Sequence, residues 1–225
     1  MRTDYHSHIL PKIDDGAKDV EMSMKMLEIL KTQGIERVIA TPHFYLHKHK
    51  SVSDFLRKRD NALKKIDSSP LEIVTGAEVA IEHGLSEVKD IEKLAITGTN
   101  LILLEFPYSH FAEWMIEEIH NVTYEHNLKP IIAHVHRYIP YYNKSDMEQI
   151  LKIDAIFQVN NEALRIFKEK RLMKKLLKND FPVVFGSDCH NLSSRKPNFD
   201  LLFKKIKENL LDESDFVFEK YSINK

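Results

Sequence analysis

The chain has 225 residues, 43% of them hydrophobic and 30% charged, a mixture that fits a folded globular protein and excludes a disordered one. Its 33 basic and 34 acidic residues nearly cancel, so the basic excess expected of a nucleic-acid-binding protein is missing. A single cysteine, Cys189, excludes an intramolecular disulfide and a thiolate-rich zinc site.

Short apolar, β-branched runs alternate with amphipathic stretches. A strand is expected over 2–8, then a helix over 20–33, where Met24, Leu27, Ile29 and Leu30 form a stripe and Gly34 suits the C-terminal cap. Strand 36–41, helix 53–67 and strand 71–77 follow. The stretch 84–98 holds at most a short helix. Next come strand 100–106, helix 111–127, strand 130–135, helix 145–152 and strand 154–160. Helix 162–178, strand 182–188 and helix 199–211 complete the series. Seven strands alternating with helices predict an α/β protein with a parallel sheet, closed as a barrel or open and doubly wound. No linker rich in Pro, Gly or Ser divides the chain, so one domain is expected over 1–225. Neither an export signal nor an apolar run of the ~18 residues that span a membrane is present, which predicts a cytoplasmic protein without membrane insertion. The sequence leaves the oligomeric state open.

The polar residues fall at the C-terminal ends of these strands. His6 and His8, two apart, share one face of the first strand, and Asp14 and Asp15 follow. The second strand leads to His43, the third to Glu78, the fourth to Glu105, the fifth to His134, and the seventh to Asp188 and His190. Only the sixth lacks an ionisable group, offering Gln158, Asn160 and Asn161. Barrel enzymes gather catalytic groups at this end of their strands. Buried charges need partners, and no matching set of Lys and Arg lies near these in the sequence. A bound cation would compensate them, and His, Asp and Glu suit borderline and hard divalent metals. His6, His8, Asp15, His43, Glu78, Glu105, His134, Asp188 and His190 are too many for one ion and suit two or three, with a carboxylate bridging.

These motifs resemble the PHP (polymerase and histidinol phosphatase) superfamily, and "HSHILPKIDDGAKD", "IATPHF", "GAEV", "LLEFP", "IAHVHRY" and "SDCHNL" resemble the bacterial capsule-biosynthesis protein-tyrosine phosphatases. The resemblance implies a distorted seven-stranded (β/α)7 TIM-like barrel with three divalent ions, manganese first, iron or zinc otherwise. It implies that His6, His8, Glu78 and Asp188 hold one ion, Glu78, Glu105 and His134 a second, and Asp15, His43 and His190 the third. Arg137 and Arg195 match arginines placed near the substrate phosphate. His136 stands where relatives carry Glu, and is a candidate proton donor or ligand support. The implied substrate is phosphotyrosine on a protein, a bacterial tyrosine kinase governing capsule or exopolysaccharide synthesis. A metal-bridging hydroxide would attack phosphorus while the ions and both arginines stabilise its oxygens.

Phe44, Tyr45, Tyr138, Tyr141 and Tyr142 are candidates for an aromatic rim around the substrate ring. Four rivals remain. "CHNLSSR" fits the C-x5-R of cysteine-dependent tyrosine phosphatases, but lacks the glycines such a phosphate loop needs. An amidohydrolase-type enzyme would call for a bridging lysine, which is missing. A histidinol-phosphatase-like enzyme shares fold and metals. A catalytically inactive metal-binding module would be favoured by a lost ligand, and none is lost.

Overall fold

Apolar, β-branched runs form the strands, and the side chains of Asp19, Ser51 and Asn143 cap the helices that follow them. The computed structural model describes residues 1–66 and 71–223. β1 (Thr3–Ser7) leads to α1 (Val20–Thr32), which starts where the Asp19 side chain accepts from Met22 N at 2.8 Å and stops before Gly34 at φ +87°. Then follow β2 (Arg37–Ala40), β3 (His43–Phe44), α2 (Val52–Leu63), β4 (Glu72–Thr75) and β5 (Glu78–Ala80). The end of the expected second helix, residue 67, lies outside the described residues. The unclear stretch 84–98 contains one 3-10 turn, Ile91–Leu94.

β6 (Leu101–Glu105), α3 (Trp114–Glu125), β7 (Lys129–Ile132), α4 (Lys144–Ile150) and β8 (Ile156–Asn160) come next. Asn143 and Asp146 form a reciprocal capping box at the start of α4. α5 (Phe167–Lys178) begins later than expected, because Asn161–Leu164 is a 3-10 turn and Ile166 is extended. After β9 (Val183–Gly186), the helix expected over 199–211 is two helices, α6 (Phe199–Phe203) and α7 (Glu208–Lys220), parted by an extended Lys207.

All strand pairs are parallel, in two open sheets of order β1-β2-β4 and β3-β5-β6-β7-β8-β9. Where seven strands in one closed sheet were expected, the described residues form nine strands in two open sheets. The cause is local. Pro42 has no N–H to continue the ladder, so the second strand breaks into β2 and β3, and its carbonyl instead accepts from Glu78 N at 3.1 Å. The third breaks at Gly76-Ala77 into β4 and β5, and each half keeps its own partner. β1 and β9 approach through an isolated parallel bridge, Ser7 with Cys189, with Asp188 N donating to His6 O at 2.7 Å and His8 N to Cys189 O at 2.9 Å.

The strands are buried on both faces, as expected of parallel strands under helices. On one face of β6, Leu101 and Leu103 join an apolar cluster with Ile131, Ile156 and Val184, while Ile102 and Leu104 pack with the helices. Strand alternation then carries the first face on to Glu105, and on β8 from Ile156 to Gln158 and Asn160. On this face β6 and β8 are thus apolar at their N-terminal ends and polar at their C-terminal ends.

Candidate metal centre

Two glycines, buried Gly186 and half-buried Gly16, let the first candidate ligand strand pack. A Cβ on Gly186 would lie 2.7 Å from His6 Cβ, and one on Gly16 would lie 2.5 Å from His8 Cβ. Such overlap would displace the histidines, so the glycine after Asp14 and Asp15 is a packing requirement of His8. His134 and Asp188 hold positive φ, at +26° and +49°, a strained backbone of the kind that collects at functional sites.

Around one point stand His6 Nε2, His8 Nε2, Glu78 Oε2 and Asp188 Oδ1. The two nitrogens are 3.1 Å apart, and lie 3.1 and 3.2 Å from the Glu78 oxygen and 3.6 and 3.5 Å from the Asp188 oxygen. A tetrahedral shell of N and O ligands at ~2.0–2.1 Å has edges of about 3.3–3.4 Å. Four donors of the right type are thus spaced as around one ion. His134 Nε2 lies 2.7 Å from Glu78 Oε1 and 3.5 Å from Glu105 Oε1, on the other side of the same carboxylate. His43 faces Glu78 Oε2 at 3.1 Å through Nδ1 and Asp15 Oδ1 at 3.4 Å through Nε2. His190 Nε2 is 3.5 Å from Asp15 Oδ1.

The tautomers sharpen the case. His6 Nδ1 lies 3.1 Å from Gln158 Oε1, His8 Nδ1 lies 2.7 Å from Asp14 Oδ2, and His190 Nδ1 lies 3.0 Å from Asp188 O. Each partner is an acceptor, so Nδ1 carries the proton and Nε2 presents a lone pair inward. Lone pairs and carboxylates facing one another repel unless a cation stands between them. His43 Nδ1 and His190 Nε2 are buried without a hydrogen bond, as ligand atoms awaiting an ion would be. In metal-free protein, protons would do that work. Burial, then the charges of Glu78 and Asp188, push Glu105 up to about 9. Burial opposes a proton on His8, but Asp14 and Glu78 overcome it and raise its pKa well above the ordinary value.

All nine residues expected as ligands therefore meet. They fall into overlapping groups: His8, Asp15, His43 and His190; His6, Glu78 and His134; His6, His8 and Asp188; His43, Glu78 and Glu105. This sharing is wider than expected, where Glu78 alone joined two of the three sets, with His8 also beside the Asp15 group and His43 beside Glu105. Both expected arginines also arrive. Arg137 Nη1 is 2.5 Å from Asp188 Oδ2, and Arg195 Nη2 donates to both Asp188 oxygens at 2.8 and 2.7 Å. Burial would raise the Asp188 pKa, but His6, Arg137 and Arg195 hold it well below the carboxylate range.

A cleft of about 420 Å³ opens onto His43, Glu78, Glu105 and His134, with Arg137 and Arg195 also in its lining. That volume is ordinary for a small-molecule site.

Residues 2–215 match the family model described as capsular polysaccharide synthesis, CpsB/CapC. The chain belongs to this family. It is 30% identical to the tyrosine-protein phosphatase YwqE of Bacillus subtilis over 85% of its own length and 78% of the relative's. It is also 30% identical to the tyrosine-protein phosphatase CpsB of Streptococcus pneumoniae, over 90% of each chain. Its fold matches a crystal structure from a study of YwqE and CpsB, described as unique metal-dependent tyrosine phosphatases, with TM-score 0.77, 24% identity and coverage of 98% and 96%. The phosphotriesterase homology protein of Escherichia coli shares the fold more distantly, at TM-score 0.55 and 13% identity over 94% of each chain.

In this CpsB/CapC chain several supporting residues escape sequence reading. Asp14 orients His8 and also accepts from His43 N at 3.1 Å. Its only signal was the doubled acid before Gly16. Gln158, at the strand end without an ionisable group, accepts from His134 N at 2.6 Å as well as meeting His6, and donates to Asn160 Oδ1 at 2.8 Å. Asn160 in turn donates to Asp188 Oδ2 at 2.9 Å. Glu162 holds the guanidinium of Arg137. Tyr108 and Glu169 line the cleft.

Some expected participants stand elsewhere. His136 is fully buried, 3.8 Å from Glu169 and without a hydrogen bond at either ring nitrogen, and is not among the lining residues. Burial, with His134 and Arg137 beside it, holds its pKa well below the ordinary value. Phe44, Tyr138 and Tyr142 are core side chains, and of the expected aromatic rim only Tyr141 lines the cleft. Cys189 is fully buried, and burial with Asp4 beside it pushes its thiol well above the ordinary range. The loop after it cannot cradle phosphate, because His190 N is taken by Arg195 O, and Ser193 N and Arg195 N by Asn191 Oδ1.

Proposed function

We propose that this chain is a metal-dependent phosphatase acting on phosphotyrosine in proteins, with a tyrosine kinase of capsule or exopolysaccharide synthesis as its cellular substrate. The observation that carries the reading is the convergence of inward imidazole lone pairs and carboxylates at the floor of a cleft that also contains two arginines. Its relatives' names, tyrosine-protein phosphatase YwqE and CpsB, support the substrate class.

His6, His8, Asp15, His43, Glu78, Glu105, His134, Asp188 and His190 would hold the ions, with Glu78 shared because its two oxygens face different histidines. We take the number as three and manganese as the resident metal, with iron or zinc as substitutes. The donor set of imidazole and carboxylate suits these ions. Bound there, divalent ions supply Lewis acidity and an activated water nucleophile. The chain's own residues do the rest. Asp14 and Gln158 keep His8 and His6 in the tautomer that leaves Nε2 free. Arg137 and Arg195 bring positive charge to Asp188, where the phosphate oxygens of a substrate would accept their planar donors. Glu162 fixes Arg137 in that direction.

Tyrosinate, with a pKa of ~10, departs with little proton assistance. The reaction therefore does not demand an acid from His136. Among the described residues, nine short strands in two parallel sheets, with β1 bridged to Cys189 just beyond β9, support a distorted barrel in which β2–β3 and β4–β5 each occupy one position of seven.

The test is hydrolysis of a phosphotyrosine peptide and of histidinol phosphate, after chelation, after restoring Mn²⁺, Fe²⁺ or Zn²⁺, and in Cys189→Ser. Peptide hydrolysis that vanishes with chelator, returns with metal and survives Cys189→Ser supports the reading. Preference for histidinol phosphate, or activity that survives chelation and vanishes with Cys189→Ser, overturns it.

A further inference from the structure

Two aromatic rings at the mouth of the cleft take no part in the core. Tyr108 is 41% exposed and Tyr141 is 51% exposed, and their centroids lie 5.2 Å apart at 62°. Both line the cleft above Glu105 and His134. Tyr108 is also tied to the floor: its hydroxyl lies 3.3 Å from His134 Nδ1, and its ring stacks on that imidazole at 6.0 Å and 24°. An aromatic wall is therefore fixed at a set height above the candidate ligands.

We propose that Tyr108, with Tyr141 opposite it, determines substrate specificity by selecting aryl over alkyl phosphate esters. The inference rests on the phosphatase reading above. Aromatic rings pair in offset or edge-to-face arrangements with centroids ~4.5–7 Å apart, and the Tyr108–Tyr141 pair already offers both a face and an edge. A substrate phenyl ring seated there directs its phosphate to the floor where Arg137 and Arg195 meet Asp188. A phosphoserine side chain is shorter and carries no ring, so reaching the same floor leaves both walls uncovered. The Tyr108 hydroxyl is a positioning group for His134, and its ring is the selecting surface.

The experiment compares wild type, Tyr108→Phe and Tyr108→Leu, each reconstituted with Mn²⁺. Two ratios are read: kcat/KM for phenyl phosphate over ethyl phosphate, and the Kd of methylphosphonate over phenylphosphonate by calorimetry. Comparing ratios between variants cancels the different intrinsic reactivities of the two leaving groups. Tyr108→Leu is expected to lower both ratios about tenfold, while Tyr108→Phe keeps them within about twofold, consistent with loss of one aromatic contact. In Tyr108→Phe the loss of the His134 partner is expected to appear instead as weaker Mn²⁺ retention against a chelator. Unchanged ratios in Tyr108→Leu, with hydrolysis of both esters intact, overturn the specificity role and leave the phosphatase reading standing. Wild-type protein that hydrolyses neither ester overturns the reading itself.

Discussion

Asp14, outside the lining of the cleft, acts on the candidate site through His8. Its carboxylate, 2.7 Å from His8 Nδ1, fixes which imidazole nitrogen faces inward. Loss of such an orienting partner typically weakens metal binding by ~10–100-fold. Asp14→Asn is therefore expected to release Mn²⁺ at chelator concentrations that leave the wild type loaded, with little change in far-UV circular dichroism. Equal retention in both proteins would remove Asp14 from the site. Glu105 offers a pH test. Burial and its acidic neighbours raise its folded pKa to about 9, well above the unfolded value of ~4.3. Between those values the folded state binds more protons than the unfolded one, so this group makes stability fall as pH rises, with the loss complete above about 9. Metal-free wild type is expected to lose more stability between pH 6 and 9 than metal-free Glu105→Gln, measured by urea unfolding. Mn²⁺ should flatten the wild-type curve by compensating the carboxylate. Parallel curves for the two metal-free proteins would contradict this assignment.

At the scale of elements, the seven longer strands are legible because buried parallel strands are continuous β-branched runs ending in turn residues, as in "NLILLEF" and "PVVFG". β3 and β5 are not, because two or three residues carry no period and their existence follows from the breaks at Pro42 and Gly76. The division of 199–211 into α6 and α7 is equally hidden: Leu202 and Leu211 are both buried, so the apolar pattern runs on across the break. Close approach is likewise invisible to pattern reading. Gly186 looks like the end of a strand, yet its bare Cα is what admits His6. Gly186→Ala is expected to cost about 1–3 kcal/mol through overpacking and to lower Tm by roughly 2–10 °C, with weakened Mn²⁺ retention. Unchanged Tm and metal retention would show that the strand yields freely.

At the scale of the whole molecule, the candidate ligands were legible because strand ends from distant parts of the chain carry the same few residue types. Packing alone does not bring His6, Glu78, His134 and Asp188 to one end of two sheets. Their supports were not legible: Gln158 and Asn160 are polar residues of ordinary type, and only the fold shows that they link His6 to Asp188. Nor could the sequence tell a buried Tyr138 from a half-exposed Tyr108, since which ring faces the cleft depends on the turns after β6 and β7.

The central claim is that this largely buried polar set exists to bind more than one ion. Among the described residues no helix is long and apolar enough to cross a membrane. The direct measurement is titration of metal-free protein with Mn²⁺, reading bound ions per chain by elemental analysis and Tm in the same samples. A ligand that binds only the folded state stabilises it by about 4 kcal/mol at a thousandfold excess over Kd. The expected result is two or three ions per chain and a Tm that climbs with each. A chain that binds none, or binds without any rise in Tm, would contradict the account.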